Sequence, residues 1–81
     1  MFAPANTIRM NLATHLKQHR ARLNLTQQEL AERVGVRRQT ILAIEKGHFS
    51  PSALLAFKIA RVLEMKVDDL FELVAEEEMG P

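Results

Sequence analysis

Thr26 is followed three residues later by Glu29, and Leu25 and Leu30 flank the pair. A hydroxyl that accepts a first-turn N–H, a carboxylate that reaches back and two apolar residues clasping across them fix a helix start at Thr26. Leu30, Ala31 and Val34 give that helix its apolar stripe, and Gly35 ends it. A second helix begins at Arg37 or Arg38 and stops before Gly47. Its Ile41 and Ile44, three apart, point inward together. At ~100° per residue, Gln39, Leu42, Ala43 and Lys46 fall on the opposite side, and Arg38 projects from the first turn. Residues 25–47 therefore read as two short helices joined by a tight turn. The second presents Arg, Gln, small apolar and Lys groups outward, a surface suited to the DNA major groove.

The charge distribution agrees with such a partner, although the net charge of +1 does not advertise it. Residues 1–61 carry ten Lys and Arg against Glu29, Glu32 and Glu45, giving +7, whereas residues 62–81 carry one Lys against seven acids, giving −6. A basic body can face phosphates while the acidic end lies away from them. Glu76, Glu77 and Glu78 can equally be read as a solubilising run. With 81 residues the chain makes one domain. At this size folding hides only ~60% of the extended surface, so dimerisation would add stability. The absence of cysteine excludes disulfides and thiolate metal sites and fits a reducing cytoplasm. No apolar run approaches the ~20 residues of a membrane span, and no signal-peptide core is present.

The rest of the chain reads as helix and short connections. Residues 1–7 form a loose arm without periodicity. Asn6 or Thr7 caps a first helix in which Ile8, Leu12 and Leu16 recur every four residues, ending near Arg22. After Gly47 comes a loop, closed by Pro51, which disfavours helix in the residue before it. Ser52 caps a fourth helix through about Leu63, with Leu54, Leu55, Ile59, Val62 and Leu63 apolar. A fifth runs from about Val67 to Val74, with Asp68 and Asp69 near its positive end. No strand signal is found. The expected fold is all-α with five helices, spanning residues 8–74 and followed by an acidic tail, residues 75–81.

In Leu25-Thr26-Gln27, Glu29-Leu30-Ala31, Gly35-Val36, Gln39-Thr40-Ile41, Ala43-Ile44-Glu45 and Gly47 the sequence resembles the phage-repressor and Cro-like helix-turn-helix regulators of the xenobiotic-response-element type. A second match follows in Pro51-Ser52, Ala56, Lys58-Ile59-Ala60, Leu63 and Leu70-Phe71. Together these cover roughly residues 10 to 73, without gaps.

The resemblance implies roles for particular residues. Arg38 and Gln39 take the first two base-contacting positions of the recognition helix: Arg can donate twice to guanine, and Gln can pair with adenine. Ala43 maps onto a third, where only a thymine methyl is within its chemistry. Leu42 departs from the small polar residue common there and offers an apolar contact of the same kind. Gln27, at the first turn of the helix before, is implied to clamp a phosphate, where free N–H groups and the helix dipole favour an anion. Lys46 and His48, either side of Gly47, are placed against the sugar-phosphate backbone. An unperturbed His is mostly neutral at pH 7 and adds charge only when protonated.

Arg37 is the second departure. The family usually has a capping Ser or Thr there, and a guanidinium cannot accept the N–H bonds a cap requires. Arg37 is therefore expected to serve a phosphate, or to stand exposed without a role. Glu45 lies close to the inward face and needs a partner. The resemblance implies a structural ion pair with Arg20, tying the first helix to the recognition helix.

His15 and His19 form an i, i+4 pair that a metal could bridge, but no third ligand is apparent and a solvated pair is the simpler reading. No nucleophile lies near a recognisable base and no Gly-rich phosphate loop exists. The chain is expected to be no enzyme and to need no cofactor or metal.

The leading expectation is a transcriptional regulator that binds an inverted-repeat operator as a homodimer. Its dimer surface would use Leu70, Phe71, Leu73 and Val74, an apolar set broader than one core face needs. A rival reading keeps the DNA binding but makes the chain an antitoxin that also holds a toxin protein. Another makes it a protein-interaction adaptor that never touches DNA.

Overall fold

Three helix starts follow the local chemistry of the sequence in the computed structural model, which describes residues 9–76. The elements in chain order are β1 (Arg9–Thr14), α1 (Leu16–Arg22), α2 (Gln27–Val34), α3 (Arg38–Glu45), α4 (Ala53–Val62), α5 (Val67–Leu70) and β2 (Phe71–Glu76). Thr26 Oγ1 accepts the Glu29 N–H at 3.0 Å, and Glu29 Oε1 accepts the Thr26 N–H at 2.8 Å, completing the capping box of α2. Ser52 Oγ accepts the Leu55 N–H at 3.1 Å and starts α4. At α1 the Thr14 hydroxyl accepts the Leu16 N–H at 3.0 Å.

Four helices end in the same way. The N–H of Leu25 returns to Arg20, that of Val36 to Ala31, that of His48 to Ala43 and that of Met65 to Ala60, each over a residue with positive φ. Those residues are Asn24 (58°), Gly35 (79°), Gly47 (76°) and Glu64 (59°). This double closure satisfies the last carbonyls of a helix and requires the left-handed conformation that glycine adopts most readily.

Leu16, Leu30, Ile41, Ile44, Ile59, Leu63 and Leu70 are completely buried and form the centre of one core. Ile41 and Ile44 enter it from α3, and Ala56, Ile59 and Ala60 from α4.

The all-α expectation is corrected by a two-stranded antiparallel sheet. β1 pairs with β2 in the register Arg9↔Glu76 through Thr14↔Phe71. The expected first helix is thus a strand followed by a shorter helix. A spacing of four is even, so Leu12 and Leu16 fit a strand period as well as a helical one, and Met10 extends the alternation. What decides is β2, some sixty residues away, which no local pattern announces. The His15 N–H donates to the Leu70 carbonyl at 2.9 Å and closes the base of the ribbon.

The fifth helix is a single turn, after which Phe71 is fully extended (φ −123°, ψ 153°). Ala75 and Glu76, assigned above to the tail, belong to β2. The expected arm (1–7), the caps at Asn6 or Thr7, Ile8, Glu77 and Glu78 lie outside the described residues.

Two of the four residues expected at a dimer surface are placed elsewhere. Leu70 is wholly buried and Phe71 is 6% exposed, both within the protomer's own core. The backbone turn between them lets two consecutive apolar side chains enter one core. Leu73 and Val74 remain exposed.

Candidate nucleic-acid interface

α2 and α3 meet through a turn that begins at Gly35, held at φ 79° with its N–H donating to the Ala31 carbonyl. No atom stands within 4 Å of where a side chain would begin there, so the requirement for glycine comes from the backbone angle alone. Val36 packs against the core, and Arg37 is extended (φ −80°, ψ 155°) as the N-cap of α3. Its side chain makes no cap hydrogen bond. The Thr40 N–H turns back to the Arg37 carbonyl at 2.9 Å, leaving the N–H groups of Arg38 and Gln39 as the uncapped start of the helix.

The two faces of α3 differ sharply. Ile41 and Ile44 are buried, whereas Arg37, Arg38, Gln39, Lys46 and His48 are exposed and Leu42 and Ala43 half-exposed. No element of the described chain covers the outward side. The surface is closed at its C-terminal end, where the Gly47 N–H bonds to the Ile44 carbonyl and the His48 N–H to that of Ala43. That closure fixes the path of Lys46 and His48 relative to the helix.

Behind this face lies an ion pair. Arg20 Nε is 2.7 Å from Glu45 Oε2, and Arg20 Nη2 donates to Oε1 at 3.3 Å. The third guanidinium nitrogen donates to the Leu25 carbonyl at 2.8 Å. Gln27 Nε2 also donates to Glu45 Oε1, at 3.0 Å. The Glu45 side chain is 4% exposed and that of Arg20 13%, so the pair is largely withdrawn from water. A forked guanidinium–carboxylate contact combines charge with fixed direction. It joins α1, the start of α2 and the last turn of α3 in one network.

Gln27 is thus placed differently from a free phosphate ligand, with one amide N–H committed to Glu45. Its backbone N–H and that of Gln28 have no acceptor among the described residues. Sequence reasoning missed this side-chain link, because the partner lies 18 positions ahead and either role suits a Gln.

The Glu29 carboxyl is held below the ordinary glutamate value, first by the Thr26 N–H, then by the Thr26 hydroxyl and the charge of Arg33. An ionised carboxylate in the first turn of α2 supports the helix through its dipole.

His15 is not on a helix with His19; it precedes α1, with Nε2 3.1 Å from Glu72 Oε1. His19 Nδ1 lies 3.4 Å from Arg22 Nη2. Among the described residues no three His, Cys, Asp or Glu side chains are grouped to hold a metal. No helix among them is long and apolar enough to cross a membrane.

Sequence reasoning also missed an exposed apolar pair on α4, Leu54 (67% exposed) and Phe57 (65%). Leu54 lies opposite the buried Ala56, Ile59 and Ala60 and Phe57 on the flank of that stripe, and the periodicity was available as the signal.

Comparison with known proteins agrees with this architecture. A family model described as helix-turn-helix matches residues 16–70. An uncharacterized HTH-type transcriptional regulator of Archaeoglobus fulgidus is 53% identical over 66 residues, 82% of this chain and 93% of that protein. The HTH-type transcriptional regulator YgzD of Bacillus subtilis is 52% identical over 61 residues, 75% of this chain and 92% of its own length. Among solved structures, the clp gene regulator ClgR of Corynebacterium glutamicum superposes with a TM-score of 0.64 at 30% identity. That match covers 67% of this chain and 57% of ClgR.

Proposed function

The chain belongs to the helix-turn-helix family, and from that premise we propose that it is a sequence-specific DNA-binding regulator of transcription. α3 enters the major groove with its outward side against the base pairs. Arg38 donates to guanine and Gln39 pairs with adenine, while Leu42 and Ala43 touch thymine methyl groups. Arg37, Lys46 and His48 meet the phosphates, together with the N–H groups at the start of α2, where Gln27 stands. The observation that carries this reading is the two-sidedness of α3: Ile41 and Ile44 buried, and Arg38, Gln39 and Lys46 uncovered.

The regulator acts as a homodimer on an inverted repeat. A two-fold axis sets the two copies of α3 about 34 Å apart, in successive major grooves on one side of the duplex. The β1–β2 ribbon, which carries the exposed Leu73 and Val74, supplies the contact. The basic body supplies affinity through counterion release, and the few base contacts supply preference.

Selection of bound sequences from random duplex DNA tests the proposal. The expected result is a two-fold symmetric site with half-sites about one helical turn apart. Recovery of no common sequence would contradict it.

A further inference from the structure

Among the described residues, the β1–β2 ribbon has no strand on either outer edge and leaves an apolar face uncovered. Side chains opposite one another in an antiparallel pair share a face, so Met10, Leu12, Phe71, Leu73 and Ala75 lie on one side. Phe71 and Leu12 belong to the core end of that side, whereas Met10 is 51% and Leu73 65% exposed. The core end of the ribbon is anchored through Phe71 and Leu12, whereas its outer end, with Met10 and Leu73, has neither a helix nor a third strand against it among the described residues.

The two edges differ in charge. β2 carries Glu72 and Glu76, and Glu77 and Glu78 follow it in sequence. Two β2 edges brought together would set Glu72 and Glu76 of one copy near those of the other, which disfavours the pairing. β1 has Arg9 as its only charged residue, and residues 1–8 contain no charged side chain. The hydrogen-bond alternation points the same way. Because the His15 N–H bonds to Leu70, the residues of β1 that face β2 are those at odd positions. The N–H and C=O groups of Met10 and Leu12 therefore turn to the open edge.

We propose that β1 pairs antiparallel with β1 of a second copy, making a four-stranded sheet in the order β2–β1–β1–β2. This rests on the dimer reading above and names the edge it uses. An antiparallel pairing of one strand with its own copy is two-fold symmetric, as a closed dimer requires. It flanks Met10 with the side chains of the other copy's β1 and leaves the acidic strands outermost.

The chain lacks cysteine, so single cysteines report contacts between copies without background. Either Met10→Cys or Asn11→Cys, whichever stands opposite its own copy across the two-fold axis, is expected to form a disulfide-linked dimer under mild oxidation. Val74→Cys and Ala75→Cys are expected not to, because the two β2 strands would stand about 14 Å apart, three strand spacings. Met10→Pro removes an edge donor without touching the β1–β2 ladder and should weaken dimerisation roughly tenfold or more in sedimentation. Asn11→Pro interrupts the ladder itself and serves as the unfolding control.

Cross-linking through β2 cysteines, or through Phe57→Cys on α4 alone, would overturn the proposal while leaving a dimer in place. A wild-type chain that remains monomeric both free and on its selected duplex would instead remove the dimer reading, and this inference with it.

Discussion

Gln27 Nε2 and Arg20 Nη2 converge on a single oxygen of Glu45, at 3.0 Å and 3.3 Å, so the first turn of α2 and the last turn of α1 hold the end of α3 through one carboxylate. The orientation of the proposed reading face thus depends on a charge that makes no contact with that face. Glu45→Ala strands the Arg20 guanidinium in a site 13% exposed and is expected to destabilise the fold by ~3–5 kcal/mol. Urea unfolding measures it. A loss below about 1 kcal/mol, the range of surface pairs, would show that the network does not hold the helix.

Glu64 occupies the left-handed position that closes α4, at φ 59°. A side chain there costs roughly 1–2 kcal/mol that glycine avoids. Glu64→Gly is expected to raise stability by about 1 kcal/mol, visible as a higher thermal midpoint. The carboxylate is exposed and makes no hydrogen bond in the described structure, so little opposes the gain.

Arg38 and Lys46 should fail differently when truncated. Arg38→Ala is expected to remove ~1–3 kcal/mol of discrimination at one base pair and leave weak, salt-sensitive binding to all sequences. Lys46→Ala should weaken every sequence alike and reduce the slope of log affinity against log salt by about one. Binding titrations on the selected duplex and on a scrambled one, across salt concentrations, separate the two.

The helix-turn-helix unit was legible because its signals are local. Thr26 with Glu29, and Ser52 before Leu55, satisfy N–H groups within one turn, and Gly35 and Gly47 supply the positive φ their positions demand. The ribbon was not legible. Leu12 and Leu16 fit both periods, and the choice falls to Phe71 and Leu73, whose influence arrives only through tertiary pairing. The same holds within the site: the inward turn of Ile41 and Ile44 follows from spacing, whereas the Gln27–Glu45 contact depends on how α2 crosses α3. The link from Arg20 to Glu45, 25 residues apart, was suggested only by family resemblance and not by any local rule.

Acid should weaken α2 through Glu29. The folded-state pKa is depressed, so the carboxylate contributes stability above its ordinary pKa, and that contribution is lost as the pH falls through the lowered value. Glu29→Gln keeps an acceptor but cannot titrate. Wild type should exceed the variant in stability at neutral pH, and the difference should shrink on acidification below the ordinary glutamate range. A difference that did not change with pH would mean that the charge contributes nothing.

The central claim is that the uncovered side of α3 lies against base pairs. Amide chemical-shift mapping of the labelled chain, titrated with its selected duplex, addresses it most directly. The account predicts the largest changes at Gln27, Arg37, Arg38, Gln39, Leu42, Ala43, Lys46 and His48, with α4 and the acidic strand β2 little affected. Changes confined to α4 or the ribbon, with α3 unmoved, would contradict it.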